Sequence, residues 1–154
     1  MRGKPASYHL KIYAFENQEL FGVMTDGLFE LGGVGQIAAD EWIRSTHACK
    51  NIDIDAWLIL PDHLQAIVSI LDAPTSPSYG IRNRKPRLLS SFIAGYKAAA
   101  AKRINLLRNA PGSPVWQRSY QERLIPDEVA LQRMRQLLLK QANEQASEGT
   151  SLAQ

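Results

Sequence analysis

Two strand-like runs, Ile52 to Leu60 and Leu64 to Leu71, are separated only by Pro61, Asp62 and His63. A connection that short predicts a hairpin, with the two strands antiparallel. The rest of the chain reads around that pair. Ser7 to Phe15 alternates, placing Tyr8, Leu10, Ile12 and Ala14 on one face, and predicts a further strand. Asn17 to Asp26 reads as a loop and Leu28 to Leu31 as a short strand. Gly32, Gly33, Val34 and Gly35 then lead into a helix from about Gln36 to Ala48.

Beyond the hairpin, Ala73 to Arg87 is rich in Pro, Ser and Arg and reads as a mobile loop. Leu88 to Arg108 predicts a helix, favoured by the Ala98 to Ala101 run and stopped at Asn109-Ala110-Pro111-Gly112. Val115 to Ile125 predicts a fourth strand, ended by Pro126. Asp127 is placed to cap a last helix to about Ala142, with Leu131, Met134 and Leu138 as its apolar stripe. The order β-α-β-β-α-β-α predicts an α+β fold: a ferredoxin-like antiparallel sheet with helices on one face. One domain is expected over residues 7–143, with tails at 1–6 and 144–154, the latter polar and expected to be disordered.

The 154 residues and 45% hydrophobic content suit one globular domain with a core. Cys49, the single cysteine, excludes an intramolecular disulfide and reads as a small packing residue. No apolar run approaches the length of a membrane span, and the basic N-terminus lacks the apolar stretch of a signal peptide, so a cytoplasmic protein is expected. Net charge is only +3, but its distribution is uneven. No Asp or Glu occurs from Ala73 to Gln121, a stretch holding Arg82, Arg84, Lys85, Arg87, Lys97, Lys102, Arg103, Arg108 and Arg118. That segregation favours a polyanion partner, and these nine residues are the candidate DNA contacts.

Other chemistry-bearing patterns are sparse. Gly33-Val34-Gly35-Gln36-Ile37-Ala38 fits the dinucleotide-binding pattern but has no parallel βαβ unit around it, so a glycine-rich helix entry is the better reading. His63 and Gln65, two apart on a strand, project from one face, and imidazole and amide oxygen are both metal-ligand types. His9 and His47 lie on other elements without partner spacing and receive no role. Trp116 and Tyr120 flank Arg118, an arrangement that serves either base stacking or core anchoring. A nucleophile elbow, a phosphate-binding P-loop and paired zinc cysteines are missing from the sequence.

Four segments, in order, resemble the REP-associated tyrosine transposases, single-tyrosine HUH enzymes of mobile elements. Tyr8-His9-Leu10-Lys11-Ile12 followed by Leu20-Phe21-Gly22 is similar to that family's opening strand and loop. Trp57-Leu58-Ile59-Leu60-Pro61-Asp62-His63-Leu64-Gln65 resembles its metal hairpin, usually W-V-V-M-P-N-H-V-H. Gly95-Tyr96-Lys97 through Lys102-Arg103-Ile104-Asn105 is similar to its central basic helix, and Pro114-Val115-Trp116-Gln117-Arg118-Ser119-Tyr120 to its V-W-Q-R-x-Y strand. The resemblance spans about residues 7–142. It implies DNA transposition chemistry: two histidines and a polar side chain of the last helix hold Mg²⁺ or Mn²⁺, which polarises a phosphate in single-stranded hairpin DNA. A tyrosine on that helix then attacks to form a phosphotyrosine link.

The sequence departs from the pattern twice. Gln65 stands at the second histidine, and Arg135-Gln136-Leu137-Leu138 puts Leu137 at the tyrosine. Gln141, four residues on, falls at the third ligand position, so His63, Gln65 and Gln141 are the implied metal set, weak or already lost. Leu137 follows Met134 by three residues and is expected to join the stripe packed on the sheet. The expectation is a catalytically impaired, transposase-like protein that binds single-stranded or hairpin DNA, has no membrane partner and leaves room for a homodimer. Two alternatives stay open: an active transposase using another tyrosine, Tyr96 or Tyr120, or a remnant structural domain with no nucleic-acid partner.

Overall fold

A computed structural model describes residues 6–71 and 87–145. Among these, six strands and three α-helices follow one another as β1 (Ala6–Tyr13), β2 (Gly22–Thr25), β3 (Leu28–Leu31), α1 (Gly33–Ala48), β4 (Ile52–Ile59), β5 (His63–Ile70), α2 (Arg87–Leu107), β6 (Gln121–Ile125) and α3 (Glu128–Gln145), with a 3-10 turn at Phe15–Asn17 after β1. The main sheet has the order β4-β5-β1-β6, and β2 and β3 form a separate two-stranded ribbon. Every pairing is antiparallel. The α+β class and the β4–β5 hairpin are as the sequence predicts.

Alternation sorts the strands into two faces. Leu10 and Ile12 of β1 join Leu64, Ala66 and Val68 of β5 in a core closed by α1 and α2. Trp42 of α1 and Tyr96 of α2 meet edge to face at 5.1 Å, and Trp116 tilts against Tyr96 at 5.6 Å. Such pairs add to the apolar area that each ring removes from water. The Tyr96 hydroxyl donates to the Ala38 carbonyl at 2.8 Å, so the one polar atom of this fully buried ring is satisfied. Burial pushes its pKa far up.

The helices do not all share that face. Leu138 of α3 packs on Ile67 and Ile125, with Ala130, Leu131 and Met134 beside it. Ile67 and Ile125 point away from the α1–α2 core, so α3 covers part of the opposite face while α1 and α2 keep to the first. Asp127 caps α3 as expected, its Oδ1 accepting from Ala130 N–H at 2.8 Å.

Three local expectations are corrected. Residues 17–26 are not all loop, because Gly22–Thr25 pairs with Leu28–Leu31 through the turn at Asp26 and Gly27, both at positive φ. The fourth strand begins only at Gln121: Val115 and Trp116 are buried as anchors in a turn-rich segment, with a single bridge from Trp116 to Ala14. Trp116 packs on Tyr96 of α2 and on Phe21, its indole N–H donates to the Lys97 carbonyl at 3.1 Å, and the Phe15 and Gln117 N–H groups tie the segment to the end of β1 without forming a full strand. Leu137 is the third. It is 45% exposed, whereas Leu138 is buried, so the stripe runs through Leu131, Met134 and Leu138, with Leu137 on its flank.

Gly35 explains the glycine-rich entry to α1. A Cβ there would collide with the Phe21 carbonyl and the Leu31 side chain, so only glycine lets the helix sit against the β2–β3 ribbon. The segment is a packing device with no parallel βαβ unit beside it.

Candidate nucleic-acid interface

The face partly covered by α3 carries the polar groups. Register places Tyr13 opposite His63, Lys11 opposite Gln65 and His9 opposite Ile67. On the other side of β1, Lys11 lies opposite Gln121 and His9 opposite Arg123. Directly paired residues in an antiparallel sheet point the same way. Tyr13, His63, Gln65, Lys11, His9, Gln121 and Arg123 therefore share one face.

A hydrogen-bonded chain crosses it. The Asp62 Oδ1 accepts from His63 Nδ1–H at 2.7 Å. The Gln65 Nε2 lies 3.4 Å from His63 Nε2, a long contact, and the Gln65 Oε1 accepts from His9 Nε2–H at 2.8 Å. The Tyr13 ring stacks on the His63 imidazole at 4.6 Å. Gln65 is 1% exposed and sits at the centre of the chain. Desolvation lowers the His9 pKa, the Gln65 bond opposes this, and the charges of Lys11, Arg123 and His63 lower it further. Burial, helped by the Asp62 charge, raises the Tyr13 pKa.

The structure thus brings His63 and Gln65 together, and adds His9, to which spacing along the sequence assigns no role. The ligand set implied by the family does not fit a divalent cation as arranged. His63 Nε2 faces an amide donor, and Gln65 Oε1 is spent on His9. Asp62, the nearby carboxylate, holds His63 Nδ1. Gln141 does offer an acceptor, since its Oε1 is buried without a hydrogen-bond partner. One free amide oxygen is a poor substitute for the several oxygen ligands that Mg²⁺ takes. Among the described residues no cluster of three or more His, Cys, Asp or Glu could hold a metal.

The nine cations of the basic segment are dispersed. Arg82, Arg84 and Lys85 lie outside the described residues, as does the Arg87 side chain. Arg103 bridges Asp40 and Glu41 of α1, each at 2.9 Å. Arg108 donates to the Asn105 Oδ1 and the Pro114 carbonyl. Lys97 donates to the carbonyls of Gln117 and Arg118 and shares with Arg118, Ser90, Ser119 and Tyr120 a groove of about 270 Å³. Lys102 and Arg118 are exposed. Trp116 is buried as a core anchor, so it offers no stacking surface. The Tyr120 hydroxyl donates to Glu122 at 2.9 Å, and burial is the main cause of its pKa being pushed up to about 12.

No protein-family model matches the chain. An uncharacterised protein of Haemophilus influenzae is 25% identical over 134 residues, which make up 79% of this chain and 71% of that protein. A solved REP-associated tyrosine transposase, bound to a REP hairpin, superposes with a TM-score of 0.52 at 12% identity, over 87% of this chain. The two chains share a fold. This chain spans 64% of that transposase's length. A candidate transposase from Deinococcus radiodurans gives a TM-score of 0.48 at 15% identity, over 90% of this chain and 92% of its own, a likeness too loose to weigh. The chain therefore has a transposase-like fold, and among its described residues no helix is long and apolar enough to cross a membrane.

Proposed function

We propose that this chain binds single-stranded or hairpin DNA through its transposase-like fold and does not perform tyrosine-dependent strand cleavage. The carrying observation is the shared fold with a transposase held on a hairpin. Impairment is read from the side chains. Leu137, half-exposed on the flank of α3, has no group that can form a phosphodiester. The two tyrosines that could substitute are poor nucleophiles: the Tyr96 hydroxyl is buried in the core, and the Tyr120 hydroxyl is tied to Glu122.

The test is a labelled DNA hairpin with a single-stranded flank, incubated with Mg²⁺ or Mn²⁺ and run on a denaturing gel. Wild type is expected to retain the oligonucleotide in a binding assay and to form no covalent adduct. Leu137→Tyr alone should restore little. Leu137→Tyr with Gln65→His should give measurable cleavage if the cleft is otherwise intact. An adduct formed by wild type would refute the impairment, whichever residue carried it.

A further inference from the structure

We infer that Lys11 and Arg123, which flank His9, form a phosphodiester-binding subsite on the sheet face that works without a divalent cation. The inference rests on the proposed DNA binding and adds where the backbone is gripped and by what. Three observations carry it.

The first is placement. His9 lies directly opposite Arg123, and Lys11 follows two residues along the same strand. Paired Cβ atoms in such a sheet stand about 5 Å apart and same-face neighbours about 7 Å apart. The Lys11 and Arg123 side chains therefore converge on one patch around His9.

The second is availability. Neither Lys11 nor Arg123 makes an ion pair or a side-chain hydrogen bond among the described residues. The contrast with α2 is direct, since Lys97, Arg103 and Arg108 already donate to groups of the protein itself. Glu122, Asp62 and Asp55 are engaged elsewhere. Glu122 alternates to the opposite face, where it accepts from Tyr120. Asp62 is occupied by His63, and Asp55 by a bidentate interaction with Arg135. Arg123 is exposed and Lys11 half-buried, so a strand of DNA laid on the face could reach both.

The third is the amide bridge beside the patch. Gln65 stands between His63 and His9, its amide nitrogen toward the first and its oxygen bonded to the second, so the side chains a cation would use are engaged with one another. Phosphate charge must then be met by fixed cations. Arg and Lys provide it, the guanidinium in the fork geometry that suits phosphate oxygens.

The test is fluorescence anisotropy with a labelled hairpin oligonucleotide carrying a single-stranded flank, titrated across salt in EDTA and in Mg²⁺. Wild type should bind equally in both. Lys11→Gln with Arg123→Gln should weaken binding and flatten the salt dependence by about 0.7 log units for each single-strand phosphate left without its cation. Arg123→Gln alone, at an exposed position on an edge strand, guards against misfolding and should flatten it by about half as much. Added inorganic phosphate should compete only at concentrations where ionic strength alone explains the loss, which distinguishes a DNA backbone site from a free-phosphate site. Wild-type affinity and slope in the double variant, or binding that requires Mg²⁺, would overturn the inference. If wild type binds no DNA under any condition, it is the proposed function that fails.

Discussion

Strand β5 presents two different surfaces within eight residues. Leu64, Ala66 and Val68 face α1 and α2 and are fully buried among apolar neighbours. His63 and Gln65 face the other way, into a hydrogen-bonded chain that runs from Asp62 to His9. Gln65 is as buried as the apolar residues, so burial alone does not distinguish the two sides. What differs is the kind of order each requires. The apolar side needs only matching volumes, whereas the polar side needs every donor to meet an acceptor. A scaffold and a site can therefore share one strand, and a change at one residue tests one side without directly touching the other.

Leu64→Ala should break the comparison most severely. It removes a fully buried side chain and should cost about 2–5 kcal/mol in a urea denaturation series. Gln65→Leu keeps the volume and deletes the bridge, leaving His9 and His63 to find other partners. It should cost about 1 kcal/mol, the scale of a net hydrogen bond. If the two variants lose equal stability, the polar side is structural core and not a site. Leu137→Ala should be smallest, within about 0.5 kcal/mol as for other surface positions. A loss as large as that of Leu138→Ala would return Leu137 to the packed stripe and remove it from the flank.

Local signals are legible in the sequence, and non-local ones are not. The β4–β5 hairpin needs only the three-residue gap at Pro61, Asp62 and His63. The Asp127 cap and the Asn109 stop, with its positive φ, are likewise local chemistry. His9 is invisible because its meeting with Gln65 depends on register between strands 56 residues apart. No spacing within either strand encodes that. β2 escapes because three of its four residues are exposed and show no apolar alternation. Leu137, Leu138 and Leu139 are consecutive, so the sequence offers several phases for the stripe, and the angle at which α3 meets Ile67 decides among them. The basic segment is legible as a count of charges, but not as a surface. Arg103 spends its charge on Asp40 and Glu41, a pairing that only the packing of α2 on α1 creates.

The β4 strand lies at one end of the main sheet, with no further strand beside it among the described residues. An open row of backbone donors and acceptors is a template on which another copy could stack, and unchecked stacking of that kind leads to aggregates. Two features of β4 work against it. The register slips between Ile54 and Ala56, which puts a kink where a flat partner would need to lie. Asp53 stands exposed beside that kink, so two such edges would meet with like charges opposed. The rim of the sheet thus carries two features that oppose edge-to-edge stacking.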